Sequence, residues 1–404
     1  MRLNCRKHFL NATVAILITA SAALAAGKDT VVENTERTTD ERAGDVSSAR
    51  PYVNPRSPPH NFRMRLDSSP RTLAEGAMTR GGAVSTSYRA FGSFGIPYTT
   101  TRVQDGVTTR PRQTESRLST TWPYRAIGKM TFQASGFDFN CSASVIRRGI
   151  IVTAAHCVQL YGDGGAYFTK FKFFPGHFGP PGSSNGQQRP YGRWSWQALV
   201  TPDTWGSGTD VGCGAISEND VALIALKKRN GQFIGDVTGW IAYGWNNFSF
   251  VTSPKTGNLH TASISTLGYP GGSDEGAIMQ RNDGPTYTGI ECSAGQLYRG
   301  SDFTGGSSGG PWIANFEPQP AVLSGGAVPG TDSLANIVVG VSSWGIFDPA
   351  DTLVLASSQF AQNIRYPDAD YGGYGGGNIG ALMEAICTKA APEGGTYASQ
   401  GYCD

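Results

Sequence analysis

From Trp122 onward the chain reads as short apolar runs separated by Gly, Pro, Asn and Ser. The runs at 143–146, 150–154, 171–174, 221–226, 262–267 and 337–344 are of strand length, and no helical periodicity fills the gaps between them. Strands at this density predict an all-β barrel or sandwich. One helix is predicted near the C-terminus, where Ile379, Leu382, Met383 and Ile386 fall at i, i+3, i+4 and i+7 and Asn378 stands as its candidate cap. Its apolar face should pack on a barrel.

The pattern before residue 119 differs. Residues 1–26 read as a secretory signal: Arg2, Arg6 and Lys7 precede an apolar run that ends in Ala23-Leu24-Ala25-Ala26. Residues 27–118 contain no cysteine, weak hydrophobic periodicity, scattered arginines and Ser/Thr/Pro-rich stretches. They are read as a pro-segment or linker, with a cut expected within about 102–121, at Arg110, Arg112 or Arg117. The domain proper is expected over 119–404. Removing the signal takes Cys5 and leaves Cys141, Cys157, Cys213, Cys292, Cys387 and Cys403, an even set that predicts disulfides in an exported, oxidised chain.

Charge narrows the partners. Thirty-three basic against 31 acidic residues give a formal net charge of +2, so no strong basic field exists to bind nucleic acid or an anionic membrane. No nucleic-acid partner is expected, nor a membrane once the signal is removed, and a monomer is expected. The 54 glycines suit tight turns between strands, because glycine reaches positive φ without strain. The G-x-G-x-x-G at 375–380 lacks a preceding strand and a βαβ setting, so it is read as a loop leading into the helix.

The candidate chemistry centres on Gly305-Gly306-Ser307-Ser308-Gly309-Gly310-Pro311. Flanking glycines let the backbone turn tightly, expose the Ser308 hydroxyl and leave the N–H groups of Gly306 and Ser308 free to converge on an oxyanion. Gly306-x-Ser308-x-Gly310 also fits the nucleophile elbow of α/β-hydrolases, but there the histidine follows the serine, and all five histidines here precede Ser308. A serine needs a base. His156 closes the apolar run 150–155 and is followed by Cys157, whereas His177 lies among Pro and Gly and His260 in a polar stretch. The orienting carboxylate is assigned to Asp220, at the mouth of the apolar run 221–226, with Asp210 as the runner-up.

Thr153-Ala154-Ala155-His156-Cys157, Asn219-Asp220-Val221-Ala222-Leu223 and Gly306-Ser307-Ser308-Gly309-Gly310-Pro311, in that order, resemble the trypsin/chymotrypsin superfamily of serine proteases. Ser343-Trp344-Gly345 resembles its substrate-aligning strand. Stretches at 123–128, 190–194 and 268–272 are similar to the bacterial glutamyl-endopeptidase-like branch. The resemblance implies two antiparallel six-stranded β-barrels, at about 120–245 and 258–390, with a C-terminal helix. It also implies His156 and Asp220 on the first barrel, Ser308 on the second, and a Cys141–Cys157 bridge. Cys387–Cys403 is then the local pair and Cys213–Cys292 the remainder, although four cysteines allow three connectivities.

The expected activity is a secreted serine endopeptidase acting on proteins or peptides, made as a zymogen, with no cofactor and no metal. The alternative is an inert protease homologue that serves as a binding protein, against which the complete set of motifs weighs. In trypsin-type enzymes an aspartate precedes the nucleophile and receives the new N-terminal amine. Ser307 stands there, so activation cannot run through that ion pair. Asp302, six residues before Ser308, is either a substrate-binding carboxylate or a loop brace, with bulky Phe303 beside it.

Overall fold

The computed structural model describes residues 29–36, 49–54, 98–104, 118–180, 182–246, 261–316, 335–346 and 353–404. The signal, Arg110, Arg112, Arg117, His60 and His260 lie outside the described residues.

The first barrel starts at a hairpin in which β4 (Ile127–Ala134) and β5 (Phe137–Arg147) are joined by Ser135 and Gly136, both at positive φ. That two-residue turn matches the right-handed twist of the strands it connects. β6 (Ile150–Thr153), β7 (Thr169–Pro175), β8 (Trp194–Val200) and β11 (Ala222–Leu226) complete it. The order β8-β11-β6-β5-β4-β7 closes through the β7–β8 pairing. Met130, Phe132, Val145, Ile151 and Leu223 are buried in the core. Between β8 and β11 lies the small ladder of β9 (Gly212–Cys213) and β10 (Ile216–Ser217).

The second barrel is built from β13 (Thr261–Gly268), β14 (Gln280–Glu291), β15 (Ala294–Gly300), β16 (Pro311–Ala314), β17 (Ile337–Ile346) and β18 (Val354–Gln359). The order β17-β16-β13-β14-β15-β18 closes through β17–β18, and β12 (Ala242–Tyr243) adds to β17 in parallel. Two closed six-stranded antiparallel barrels are therefore present, as expected. Cys141–Cys157, Cys213–Cys292 and Cys387–Cys403 all form. The second ties the β9 segment of the first barrel to the β14–β15 turn of the second.

The C-terminal helix runs Gly377–Thr388 and buries Ile379, Leu382, Met383 and Ile386, as the periodicity predicts. Its cap differs from the expectation. Gly376 is the N-cap and Asn378 is fully buried inside the first turn, where its amide donates to Asn219 Oδ1 and to the Gln359 carbonyl. No helix among the described residues is long and apolar enough to cross a membrane.

Three short strands come from 27–118, and each covers backbone that the barrels leave open. β1 (Val31–Glu33) pairs with Ala198–Val200 of β8, beyond the reach of β7, which pairs only with Trp194 and Ser195. β2 (Arg50–Pro51) lies parallel to Phe139 and Asn140 of β5, ahead of the residues that β6 takes. β3 (Thr99–Arg102) pairs with Gln280–Asp283 of β14, where β15 is absent. Unpaired strand edges expose backbone donors and acceptors, and these pieces satisfy them.

Candidate active site

β6 delivers its last residue, Thr153, to the junction of the barrels, and one turn of 3₁₀ helix, Ala155–Cys157, carries His156 just beyond. The Cys141–Cys157 bridge fastens that turn to β5. Asp220 sits two residues before β11, the partner of β6, so strand pairing brings the two side chains together. His156 Nδ1 lies 2.7 Å from Asp220 Oδ2, and the His156 backbone N–H donates to Oδ1 at 2.9 Å.

The carboxylate is fully buried and His156 is 1% exposed. Such burial is tolerated only with hydrogen bonds, and Asp220 has a third, from the hydroxyl of Ser343 at 2.5 Å. A carboxylate only accepts, so Nδ1 carries the ring proton and Nε2 keeps the basic lone pair. Nε2 is buried and has no hydrogen-bond partner among the described residues, Ser308 included.

Ser343 gains its reach from a bulge. β17 and β18 are in register at Ser342–Ser357 and again at Trp344–Ala356, leaving Ser343 as an extra residue on β17. Trp344 is braced by its own N–H, which donates to Gln296 Oε1, and Gly345 pairs with Leu355.

The loop that carries Ser308 is laced to the first barrel. Ser142 N–H donates to the Ser308 carbonyl at 2.8 Å, while the Ser142 hydroxyl donates to the Gly306 carbonyl and accepts from the Tyr269 N–H. Gly309 adopts φ +77°, and a β-carbon there would stand 2.0 Å from Thr153 Oγ1, so only glycine lets the loop approach β6 this closely. Ser307 donates its hydroxyl to the Thr304 carbonyl, a brace within the loop.

The other sequence candidates fall elsewhere. Asp302 accepts from the Thr100 hydroxyl of β3 and does not line the cleft beside Ser308. Phe303 is buried with Ile264, Trp312 and Val339 in the second barrel and does not line that cleft. Besides Ser307 and Ser308 themselves, the cleft is lined by Thr304, Gly305, Ser342, Ser343, Trp344 and Leu355 and closed by Val53 and Asn54, none of them charged. Asp210 does not approach His156; it accepts from the backbone and side-chain N–H groups of Asn219, steadying Asp220 from behind. His177 packs against Phe174 and Tyr269, and burial with nearby Lys129 pushes its pKa down to about 3.

Sequence reasoning missed Ser142, and also Ser358, whose hydroxyl accepts from the Asp220 N–H. Neither lies in a recognisable motif, and each partner is more than a hundred residues away. Cys141, His156 and Cys157 are the one described group with donor atoms close enough for a metal ion, but both sulfurs are committed to a disulfide.

A family model described as Trypsin matches residues 113–361. Protease Anisep from Arthrobacter nicotinovorans is similar at 23% identity and TM-score 0.43, over 60% of this chain and 92% of that one. The thermostable serine protease AL20 from an extremophilic microorganism is similar at 22% identity and TM-score 0.43, over 59% and 92%. A Glu endopeptidase is similar at 16% identity and TM-score 0.42, over 67% and 93%. No curated protein matches the chain significantly. With its model spanning more than half of the chain, the family is established: the protein belongs to the trypsin family, whose substrates are proteins and peptides.

Proposed function

We propose that the protein is a secreted serine endopeptidase, made as a zymogen, with Ser308 as nucleophile, His156 as general base and Asp220 as the residue that orients it. The observation that carries this reading is the buried His156–Asp220 pair, its basic nitrogen unoccupied, at the same barrel junction as the glycine-bounded Ser308. Ser308 Oγ attacks the scissile carbonyl and His156 Nε2 takes its proton. The Gly306 and Ser308 N–H groups receive the negative charge that develops on the carbonyl oxygen, and each such donor contributes about 3 kcal/mol to catalysis. His156 then gives the proton to the departing amine, and water releases the acyl group by the reverse sequence.

The Ser343–Gly345 strand stands beside Ser308, where it can pair with substrate backbone, and the uncharged cleft walls supply no counter-charge for a Lys, Arg, Asp or Glu side chain. Residues 27–118 are proposed as the removable segment, with 119–404 as the protease domain. N-terminal sequencing of the active secreted protein checks this, and a fully active form starting at Gly27 would refute it. A fluorophosphonate probe tests the chemistry: processed wild type should be labelled at Ser308. Ser308→Ala should remain folded yet lose about a million-fold in turnover, as triad serines do. An inert homologue would not react.

A further inference from the structure

Residues 49–54 cross the candidate active site. Arg50 and Pro51 pair with β5 on one wall, the Tyr52 N–H donates to the Asn140 carbonyl at 3.0 Å, and Asn54 Nδ2 reaches the Ser343 carbonyl at 3.4 Å on the other. Between these anchors the Gly306 N–H, one of the two proposed oxyanion donors, donates to the Tyr52 carbonyl at 2.8 Å. The Tyr52 ring stacks over His156 with centroids 6.0 Å apart and an 18° tilt. Its other contacts are edge-on, to Phe132 and Phe139 at 5.2 Å and Phe168 at 5.7 Å. Tyr52 is 9% exposed, and the cavity left beside Ser308 is about 10 Å³, room for about one water.

We propose that residues 49–54 are an intramolecular inhibitor, with the Tyr52 carbonyl held where the oxyanion would form and its ring seated in an aromatic subsite of Phe132, Phe139 and Phe168 that caps His156. The proposal rests on the serine-protease reading above and adds how the zymogen is kept silent. A substrate carbonyl cannot reach the Gly306 N–H while Tyr52 holds it, and Nε2 of His156 makes no hydrogen bond to Ser308 in this state. Burial and the charge of Asp220 push the Tyr52 phenol up to about 12, so the ring stays neutral at ordinary pH. Activation then means expelling this segment, which fits Ser307 in place of an aspartate that would capture a new N-terminus. The ligand class of the emptied subsite is an extended peptide bearing an aromatic side chain.

The test compares fluorophosphonate labelling of Ser308 in the intact chain, followed by intact mass, with labelling of the processed enzyme. Intact wild type should react at least tenfold more slowly than processed enzyme, and Tyr52→Ala should restore the intact chain to within a few-fold of it. Gly271→Ala gives an independent release from the opposite side, since its β-carbon would stand 2.2 Å from Pro51 Cγ. A synthetic peptide of residues 47–56 should inhibit processed enzyme competitively, and its tyrosine-to-alanine version at least tenfold more weakly. An intact chain that labels as fast as the processed form, or two peptides of equal potency, overturns this proposal alone. A processed enzyme that does not label overturns the serine-protease reading and this proposal with it.

Discussion

The hydroxyl of Ser343 donates to Asp220 Oδ2 at 2.5 Å, so a side chain of the second barrel holds the carboxylate of the first. The contact makes the His156–Asp220 geometry depend on how the barrels meet. A hydrogen bond to a charged group contributes about 1.5–3 kcal/mol. Ser343→Ala in the processed enzyme should therefore lower kcat by about ten- to a hundredfold and leave KM nearly unchanged. Steady-state kinetics on a peptide substrate reads both, and a kcat within twofold of wild type would reduce Ser343 to a structural role.

Ser142 is expected to matter as much to stability as to rate. Its hydroxyl satisfies both the buried Tyr269 N–H and the Gly306 carbonyl. Ser142→Ala leaves two polar groups without partners, at about 1–3 kcal/mol each. Denaturant unfolding should show a loss of about 2–6 kcal/mol, and probe labelling of Ser308 should slow because the loop is less firmly held. Unchanged stability would mean that water replaces the hydroxyl in full.

The bridges should rank by the loops they close. Cys213–Cys292 spans 79 residues, whereas Cys141–Cys157 and Cys387–Cys403 span 16 each. Chain entropy assigns about 4.5 kcal/mol to the long loop and about 3 kcal/mol to each short one. Replacing Cys213 and Cys292 together by alanine should lower the unfolding free energy more than replacing Cys387 and Cys403. Non-reducing peptide mapping of the wild type should recover all three pairs.

His177 should make the fold acid-sensitive. Its folded pKa is pushed down to about 3, below the ordinary 6.5, mainly by burial. As pH falls below 6.5 the unfolded chain takes up a proton that the folded chain refuses, so stability present above 6.5 is lost progressively toward 3, with a slope of up to about 1.4 kcal/mol per pH unit. Asp29 and Glu218 act in the opposite sense. Burial raises each to about 6, so their contribution is lost as pH rises from the ordinary carboxylate range through 6. Both remain in His177→Gln and cancel in the comparison. Unfolding measured at pH 7, 6 and 5 should show a flatter dependence for His177→Gln than for wild type, and parallel curves would contradict the assignment.

Much of the candidate site can be read in the chain because its members lie in local patterns. His156 ends an apolar run beside a cysteine, Asp220 opens another, and Ser308 lies among glycines. The barrels follow from the same signal wherever strands are apolar. β14 escapes it. Gln280, Asn282 and Thr286 are buried, and the Asn282 amide N–H donates to the hydroxyl of Thr100, 182 residues earlier in the chain. Asn378 was legible as a helix-start residue but not as a brace, because its partner Asn219 is 159 residues away.

Hydrophobic period, turn residues and the chemistry of short motifs are properties of neighbouring residues, so the sequence alone determined the strands, the helix face and the identity of the three candidate catalytic side chains. Tertiary structure decided what lies across space from them. It turned Ser343, Ser142 and Asp210 into supports, tied Asp302 to Thr100, and spread parts of 27–118 over open strand edges. It also brought Tyr52 onto His156 and Gly306. The reason is physical: an apolar residue needs only to be buried, whereas a buried polar group needs a particular partner. Only the folded chain determines which partner is within about 3 Å.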